Sequence, residues 1–188
     1  LINKADVFGT VGVIKEKLLK LKEPLLIKDI DFRVQSVNKG GYATILPYKD
    51  ARVDMQRLDE VAGPLQWKRE HTRDNKNCIV SIWSDELKQW VSKEDTGTES
   101  NTEQAKGLAS DSFKRACFNW GIGRELYDYP IISIKLLDHE IKDGKPTWNF
   151  KLKQWKWGSE FKDGTLVALA AKDEKGSVRF MYGEFSKK

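Results

Sequence analysis

The sequence predicts an α+β fold in which a curved antiparallel β-sheet is covered by one long helix. Three strand-like runs follow one another at Leu65–Thr72, Cys78–Trp83 and Lys88–Lys93, and polar turns separate them. A helical segment, Gly97–Gly123, comes directly after these runs. This order favours an α+β arrangement, because the apolar face of a helix needs a sheet to pack on. We expect a single domain over residues 1–188, with its core at about 27–129 and a β-rich extension at 130–188.

The segment Gly97–Gly123 carries the clearest helix signals in the chain. Ser100 and Glu103 have the spacing of a capping box, in which two side chains satisfy backbone donors at the start of a helix. Gly121 and Gly123 supply a stop, since glycine tolerates the left-handed conformation that ends many helices. Apolar side chains recur between these signals at steps of three and four, which predicts a stripe that packs on the sheet: Ala105, Ala109, Phe113, Ala116 and Trp120.

Two basic residues, Lys114 and Arg115, lie within this predicted helix. Helical geometry places Lys114 beside the apolar stripe, about 100° from Phe113, and Arg115 on the opposite side. A lysine in the flanking position can reach across the edge of the underlying sheet. An ordinary core helix with solvated charges explains the same pattern, so the pair alone does not define a function.

The first third of the chain predicts a helix, a hairpin and a second helix. Helical spacing covers Thr10–Lys22, and strand patterns at Ile27–Val37 and Tyr42–Tyr48 flank the turn signal of residues 38–41. The hairpin is expected to carry Arg33 and Lys39 at or near its turn. Asp50 is a suitable N-cap for the second helix, at residues 50–62. The charged side chains of that helix are expected on its solvent-exposed faces: Arg52, Asp54, Arg57 and Asp59.

The last third is predicted to consist mainly of strands. Ile131–Leu137 has the pattern of a buried strand, and Leu166–Ala171 with Ser177–Tyr182 predicts a hairpin. Residues 148–157 also have a strand-like pattern. Alternation along that strand would place Trp148, Phe150 and Leu152 on one face, and Lys151, Lys153, Trp155 and Trp157 on the other.

Composition limits the class of protein. The 188-residue chain has a formal net charge of +5 and a pI near 9.0, a moderate basic excess that is compatible with a nucleic-acid partner. Cys78 and Cys117 are isolated and flanked by apolar residues, which favours buried, reduced thiols in a cytosolic protein. No run of about 18 apolar residues predicts a membrane span, and no signal peptide is visible. We therefore expect a cytoplasmic protein without a membrane partner, whose native N-terminus can lie upstream of Leu1.

Motifs for catalysis are missing from the sequence. His71 and His139 have no cysteines at ligand spacing, which argues against a metal site. No Gly-rich phosphate loop and no nucleophile motif are present. The carboxylates of residues 50–62 have the spacing of solvated charges, which gives little support to a nuclease. The sequence therefore predicts a binding protein without a cofactor rather than an enzyme.

Basic and aromatic residues are interleaved along the chain. Cations beside phosphates give affinity without reading sequence, and aromatic faces stack on any exposed base. This combination predicts a single-stranded nucleic acid as partner. The contributing residues are Arg33, Lys39, Tyr48, Lys68, Arg69, Lys76, Lys114, Arg115 and the run Lys151–Trp157.

Two segments, in order, resemble the RAD fifty-two family of single-strand annealing proteins. Residues 48–67, YKDARVDMQRLDEVAGPLQW, are similar to the helix that opens the family's domain, and the matching positions are Tyr48, Arg52, Val53, Asp59, Glu60, Gly63 and Trp67. Residues 97–123 are similar to the family's signature helix with its D-x-x-K-R-A run, through Asp111, Lys114, Arg115, Ala116, Trp120 and Gly121. Residues 27–35, IKDIDFRVQ, are similar to the bacterial and phage branch, which includes the Sak-like proteins. The resemblance covers residues 27–123.

This resemblance implies a β-β-β-α core that assembles into a homo-oligomeric ring or filament. It implies ATP-independent binding and annealing of single-stranded DNA during homologous recombination and double-strand break repair, in a phage or prophage context. The DNA would lie in a basic groove around the oligomer, with its bases outward. A single-strand binding protein or an exonuclease is a further expected partner.

The same resemblance implies which residues contact DNA. Lys114 and Arg115 would grip the backbone, Tyr48 with Arg33 or Lys39 would line the groove, and Lys76 would lie near its outer rim. We also expect Lys106 and Arg52 to take part. Where the family has a further arginine one turn after the Lys-Arg pair, this chain has Phe118.

Three alternatives remain open at the level of sequence. Residues 151, 153, 155 and 157 can form a second DNA surface, a subunit contact or an extension of the sheet. The whole chain can be a general single-strand DNA-binding protein of OB type, which would stack bases on Trp155 and Trp157 and would not anneal. It can also be a structural assembly protein whose cations pair with neighbouring subunits.

Overall fold

The fold is mixed α+β, as predicted, in a computed structural model that describes residues 16–98 and 104–186. The predicted capping box Ser100–Glu103 and residues 10–15 of the first predicted helix lie outside the described residues. Residues 16–21 are helical and precede α1 (Ala51–Val61) and α2 (Gln104–Trp120). The strands are β1 (Asp31–Val37), β2 (Tyr42–Tyr48), β3 (Trp67–Thr72), β4 (Asn77–Ser84), β5 (Gln89–Thr96), β6 (Ile132–Lys135), β7 (Ile141–Lys142), β8 (Lys145–Pro146), β9 (Lys156–Lys162), β10 (Thr165–Lys172) and β11 (Val178–Gly183).

The chain divides into two compact units. Unit 1 comprises Asp50–Arg124 with the described part of Leu1–Glu23, and unit 2 comprises Pro24–Lys49 with the described part of Glu125–Lys188. The chain enters unit 2, leaves it at Asp50 and returns to it at Glu125. That residues 1–188 act as one annealing domain stays a prediction.

Unit 1 is built from the β-β-β-α order that the sequence predicts. Strands β3, β4 and β5 form an antiparallel meander with β4 in the centre, and α2 packs on β4 and β5. Trp120 anchors the helix, because its indole Nε1 donates to the Val80 carbonyl of the central strand at 3.0 Å. The helix ends at Gly121, whose φ of +100° is the left-handed conformation that glycine adopts readily.

The buried face of α2 is wider than the predicted stripe. Phe113, Ala116 and Trp120 are buried as predicted, and Ala109 is half-buried. The side chain of Ala105 lies outside the described ones. Among the described side chains of this helix, three more are buried: Leu108, Ser112 and Cys117. They flank the stripe one position away, so the sheet covers a broader arc of the helix than the single stripe would need.

Helix α1 begins and ends where the sequence predicts. The prediction is wrong, however, for the location of one of its carboxylates. Asp50 is its N-cap, and its Oδ1 accepts from the Arg52 backbone N–H at 2.8 Å. Asp54 is fully buried, so its assignment to a solvent-exposed face is wrong. Leu58, one turn later, is also fully buried, which shows that the buried face of α1 runs through these two positions.

Unit 2 contains two three-stranded antiparallel sheets, β1-β2-β6 and β11-β10-β9, and the short pair β7-β8. The two larger sheets share one hydrophobic core, to which residues between them also contribute: Ala43, Ile45, Ile132, Ile134, Leu136, Phe150, Leu152, Trp155, Leu166, Leu169 and Ala171. The predicted hairpins at Tyr42 and at Ser177 are confirmed as β1-β2 and β10-β11.

Two strand predictions in unit 2 need correction. Ile27–Asp29 is a 3-10 turn, so β1 begins only at Asp31. The strand predicted over residues 148–157 is wrong, because Leu152–Gln154 is also a 3-10 turn and β9 begins at Lys156. The three-residue step from Leu152 to Trp155 lets both side chains enter the core, whereas strict alternation would have separated them.

Both cysteines are buried and form no disulfide bond with a described residue, as expected for reduced thiols. Cys78 lies on β4 and Cys117 on α2, and each is fully buried. None of the helices in the described residues is both long and apolar enough to cross a membrane.

Candidate nucleic-acid interface

The predicted DNA-binding residues fall into two groups, one in each unit. Unit 1 contains Arg52, Lys76, Lys106, Lys114 and Arg115. Unit 2 contains Arg33, Lys39, Tyr48, Lys151, Lys153, Trp155 and Trp157.

Arg52 lies at the N-terminal end of α1, and Lys114 is near enough for its charge to act on Asp50 there. The Arg52 side chain donates to both carboxylate oxygens of Asp50, with its Nε 3.0 Å from Oδ1, and it remains mostly exposed. Hydrogen bonds from the Arg52 side chain and backbone lower the pKa of Asp50, and the nearby charge of Lys114 lowers it further. Two cations and the positive end of a helix dipole therefore converge on one carboxylate. Such a site favours anions.

Arg115 lies on another flank of α2 and reaches β5. Its Nε is 3.5 Å from Asp95 Oδ1, and its side chain is 39% exposed. Asn119, one turn later, donates to Asp95 Oδ2 at 3.3 Å and to the Glu94 carbonyl at 2.9 Å. Asp95 thus holds Arg115 against the sheet edge while part of the guanidinium stays accessible.

Two cations that the predicted site omits, Lys93 and Arg124, lie at the C-terminal end of α2. Lys93 Nζ donates to the Asn119 carbonyl at 2.7 Å, and Arg124 donates to the carbonyls of Phe118 and Asn119 at 2.6 and 3.0 Å. Burial lowers the pKa of Lys93, and the nearby charges of Arg124 and Lys22 add to this effect. Arg124 could have been predicted from its position directly after the glycine stop of α2. A basic residue there can donate hydrogen bonds to the last backbone carbonyls of the helix.

The two remaining predicted residues of unit 1 are Lys76 and Lys106. Lys76 is exposed at the end of the turn between β3 and β4. That turn contacts α2, because Ser112 Oγ donates to the Asn75 carbonyl at 2.9 Å. Lys106 belongs to α2, and its side chain lies outside the described ones.

In unit 2, Arg33 and Tyr48 are neighbours and Lys39 is remote from them. Asp31 pairs with Tyr48 at the open end of the β1-β2 hairpin, and Arg33 Cζ is 5.5 Å from the centre of the Tyr48 ring. The prediction that Arg33 lies at or near the turn is therefore wrong. Lys39 lies in the turn, about 20 Å further along the strand at roughly 3.3 Å per residue. Of the two rival cations, Arg33 is the one beside Tyr48.

This chain is similar to a single-stranded DNA-binding protein. It is 34% identical over 114 residues to the single-stranded DNA-binding protein DdrA of Deinococcus radiodurans, a match that covers 59% of this chain and 54% of DdrA. The chain thus spans about half the length of the curated relative it matches. No family model matches the sequence. No solved structure matches it either.

An open pocket of about 710 Å³ lies in unit 2 beside Tyr48. Lys153, Trp155 and Trp157 line it, so the structure brings these predicted residues together with Tyr48. Trp155 contributes little open ring surface, because it is only 6% exposed and packs edge-on against Phe150 at 5.2 Å. Lys151 is half-buried and does not line the pocket.

The predicted DNA-binding positions omit three basic or aromatic residues that also line this pocket: Lys28, Phe32 and Lys156. Lys156 belongs to the predicted run Lys151–Trp157. Strict strand alternation through residues 148–157, however, would place it on the face opposite to Trp155 and Trp157. The 3-10 turn at Leu152–Gln154 changes that phase. Phe32 and Lys28 carry no local signal, since only the fold brings them to Trp157.

The described residues contain no group of three or more His, Cys, Asp or Glu side chains that could hold a metal ion. Burial lowers the pKa of His71, and the charge of Arg69 lowers it further, so this imidazole tends to stay neutral. Cations are the main groups of the candidate surface in unit 1, whereas cations and aromatic rings together line the pocket of unit 2.

Proposed function

We propose that this protein binds single-stranded DNA and anneals complementary strands without nucleotide hydrolysis, as a member of the RAD fifty-two family acting in recombination and repair. The observation that carries the proposal is the cluster of Lys114, Arg52 and the N-terminal end of α1, with Arg115 on the adjacent flank of α2. The similarity to DdrA, which is named for single-stranded DNA binding, supports the same partner.

The chemistry of this cluster suits a phosphate backbone. The N-terminus of a helix attracts anions through its dipole, and the two cations near it add to the local positive potential. Contacts of this kind are independent of base identity. A protein that holds the backbone leaves the base edges accessible to a complementary strand, which is the requirement for annealing. The proposal assigns no catalytic residue.

A decisive test compares two double variants of the whole chain. Lys114→Ala with Arg115→Ala removes two cations from the proposed interface. Lys142→Ala with Lys145→Ala removes two exposed lysines from the β7-β8 pair of unit 2 and serves as the charge-matched control. We expect the first variant to lose binding of a labelled oligonucleotide, measured by fluorescence anisotropy, and to lose strand annealing, while circular dichroism stays unchanged. Parental annealing by that variant would contradict the interface.

A binding protein without annealing activity is the second candidate, and the name of DdrA favours it because that name states binding alone. Mixing two complementary oligonucleotides, one with a fluorophore and one with a quencher, separates the candidates. An annealing protein accelerates duplex formation, whereas a protein that only coats the strands retards it.

The same proposal includes assembly into a ring or filament, so that the interface of one subunit continues into the next. In the described residues, β3 and β5 are the edge strands of the unit 1 sheet and have backbone groups available for pairing. Negative-stain microscopy with and without oligonucleotide, together with light scattering, tests this part. A monomer under both conditions would contradict it.

A structural assembly protein is the third candidate, in which the cations pair with neighbouring subunits. Salt titration tests it, because log affinity of a single-strand binder falls linearly with log salt concentration, with a slope of about −0.7 for each phosphate contacted. No measurable affinity for DNA at low salt would favour this candidate.

A further inference from the structure

We propose that the open pocket of unit 2 binds one nucleotide of single-stranded DNA, with its base against the aromatic wall and its phosphates beside the pocket lysines. This inference rests on the proposed function for the identity of the polymer. It adds a base-binding subsite within unit 2, in which Lys153, Lys156 and Trp157 lie outside the segment that resembles the annealing family.

The pocket lies at the open end of the β1-β2 hairpin. Its lining comes from the segment before β1, from the ends of β1 and β2, from the 3-10 turn that precedes β9, and from the first residues of β9. Its volume of about 710 Å³ lies within the range of roughly 300–1,000 Å³ that is typical of small-molecule sites. A pocket of this volume accommodates one nucleotide.

One wall of the pocket is a preformed aromatic stack. The rings of Phe32 and Trp157 are parallel within 4°, and their centroids are 3.6 Å apart. Both residues are half-buried, so the stack is held by its surroundings and still lines the pocket. Tyr48 contributes a third ring to the pocket, and the Arg33 Cζ atom lies 5.5 Å from the centre of this ring. Flat, rigid rings stack on any base, and each stacked base is worth about tenfold in affinity.

The charge of the pocket is positive, and its cations are available. Lys28, Lys153 and Lys156 are exposed and make no hydrogen bond or ion pair with any described residue. Asp31 is the single acidic residue of the lining. In unit 1, by contrast, Arg115 and Lys93 already bind Asp95 and a helix end. Three lysines without a described partner can bind the phosphates of a nucleotide whose base stacks on the aromatic wall.

A base inside a duplex is stacked and paired, so only an unstacked nucleotide can enter such a pocket. The pocket therefore gives a physical reason for a preference for single strands. An acidic peptide could satisfy the lysines, but it would not require a preformed ring stack. The aromatic wall therefore favours the nucleotide, and binding of an acidic peptide is a separate, measurable outcome.

The first experiment measures binding of a fluorescein-labelled oligo-dT by the whole chain at several salt concentrations. Lys153→Ala with Lys156→Ala is compared with the control Lys142→Ala with Lys145→Ala. We expect the pocket variant to weaken binding and to reduce the slope of log affinity against log salt by about 1.4, since two phosphate contacts are lost. The control is expected to keep the parental slope. Equal slopes for both variants would overturn the proposal.

The second experiment tests the base itself. The unmodified protein is expected to bind oligo-dT roughly tenfold more tightly than an abasic strand of equal length. Trp157→Ala should remove most of this difference, and Trp157→Phe, which keeps a ring in the stack, should retain it. A full difference in a folded Trp157→Ala variant would overturn the proposal.

The third experiment needs no variant, so it decides the matter even if Trp157→Ala fails to fold. An oligonucleotide with 5-iodouracil is photo-crosslinked to the unmodified protein, and the crosslinked peptides are identified by mass spectrometry. Crosslinks to Phe32, Tyr48 or Trp157 are expected. Crosslinks confined to other residues would overturn the pocket assignment.

The outcomes also separate this proposal from the proposed function. If the unmodified protein binds no oligonucleotide, the proposed function fails and the nucleotide assignment fails with it. If the protein binds DNA through Lys114 and Arg115 but the pocket variants behave like the control, only the pocket assignment fails. Loss of affinity for a labelled oligo-aspartate peptide in the Lys153/Lys156 variant, with DNA affinity unchanged, would identify an acidic peptide as the occupant instead.

Discussion

The guanidinium of Arg179 donates two hydrogen bonds to the carboxylate of Glu140, from Nη1 at 3.0 Å and from Nη2 at 2.7 Å. The two side chains are only 10% and 5% exposed. Arg179 also lies 3.5 Å from Asp173 and over the ring of Trp155 at 4.8 Å. This ion pair therefore ties β11 to the segment after β6 inside unit 2.

Acid is expected to weaken unit 2 through Glu140. Burial alone would raise the pKa of Glu140, but hydrogen bonds from Arg179 and from the Leu137 N–H hold it below its ordinary value. The unfolded chain therefore binds more protons, so the stabilisation is fully present above the ordinary glutamate pKa of about 4.3 and is lost as the pH falls through the lowered pKa of the folded protein. Urea denaturation at pH 7, 5 and 3 measures this. Glu140→Gln should cost about 3 kcal/mol at pH 7 and flatten the pH dependence. An unchanged pH dependence in this variant would contradict the assignment.

Asp50 is expected to have opposite effects on stability and on DNA affinity. Its side chain caps α1, and its charge offsets Arg52 and Lys114. Asp50→Asn keeps the cap and removes the charge, so stability should change by less than about 0.5 kcal/mol while affinity for oligo-dT increases. Asp50→Ala should raise affinity similarly but cost about 1 kcal/mol of stability. Thermal denaturation and anisotropy measure the two effects, and lower affinity in Asp50→Asn would count against the interface.

Gly97 is expected to tolerate no side chain. A Cβ built there would lie 2.8 Å from the Ser112 backbone nitrogen and 3.1 Å from the Leu108 carbonyl oxygen, so α2 would have to move off the sheet. Gly97→Ala should therefore cost about 2–3 kcal/mol. Gly164→Ala is the control, since nothing lies within 4 Å of its Cβ and only its φ of +78° opposes the change, at about 1 kcal/mol. Urea midpoints compare the two, and equal losses would show that α2 accommodates the methyl group.

The two thiols are expected to be inert in the folded protein. Burial raises the pKa of Cys78 to about 11, so roughly one molecule in a thousand carries the thiolate at pH 8. Cys117 is fully buried as well. Ellman's reagent should label neither thiol at pH 8 in buffer and both in guanidinium chloride. Rapid labelling of one thiol in buffer would show that α2 opens locally from the sheet.

Most of the fold could be predicted because its signals are local. The cap at Asp50, the stop at Gly121 and the polar turns between strands act within a few residues, and the structure confirms each of them. Asp54 could not be predicted, since its burial depends on what packs over α1 and not on its sequence neighbours.

The candidate interface was less accessible to sequence reasoning. Charge and aromatic content indicate the kind of partner, but they do not show which cations already have protein partners. Asp95 and Asp50 engage Arg115 and Arg52 only in the folded chain. The pocket of unit 2 depends on a phase change at Leu152–Gln154, which places Lys156 beside residues that precede it by more than a hundred positions.

The path of the chain through unit 2 has a consequence for biosynthesis. Strand β2 is flanked by β1 and β6, and Ile45 is paired with Ile132. A ribosome makes the β1-β2 hairpin early, but it delivers β6 only after all of Asp50–Arg124 has emerged. Until then the apolar edge of β2 lacks its neighbour, and an open edge of this kind invites pairing between nascent chains. Translational pausing between residues 50 and 132 is therefore expected to lower the yield of native protein.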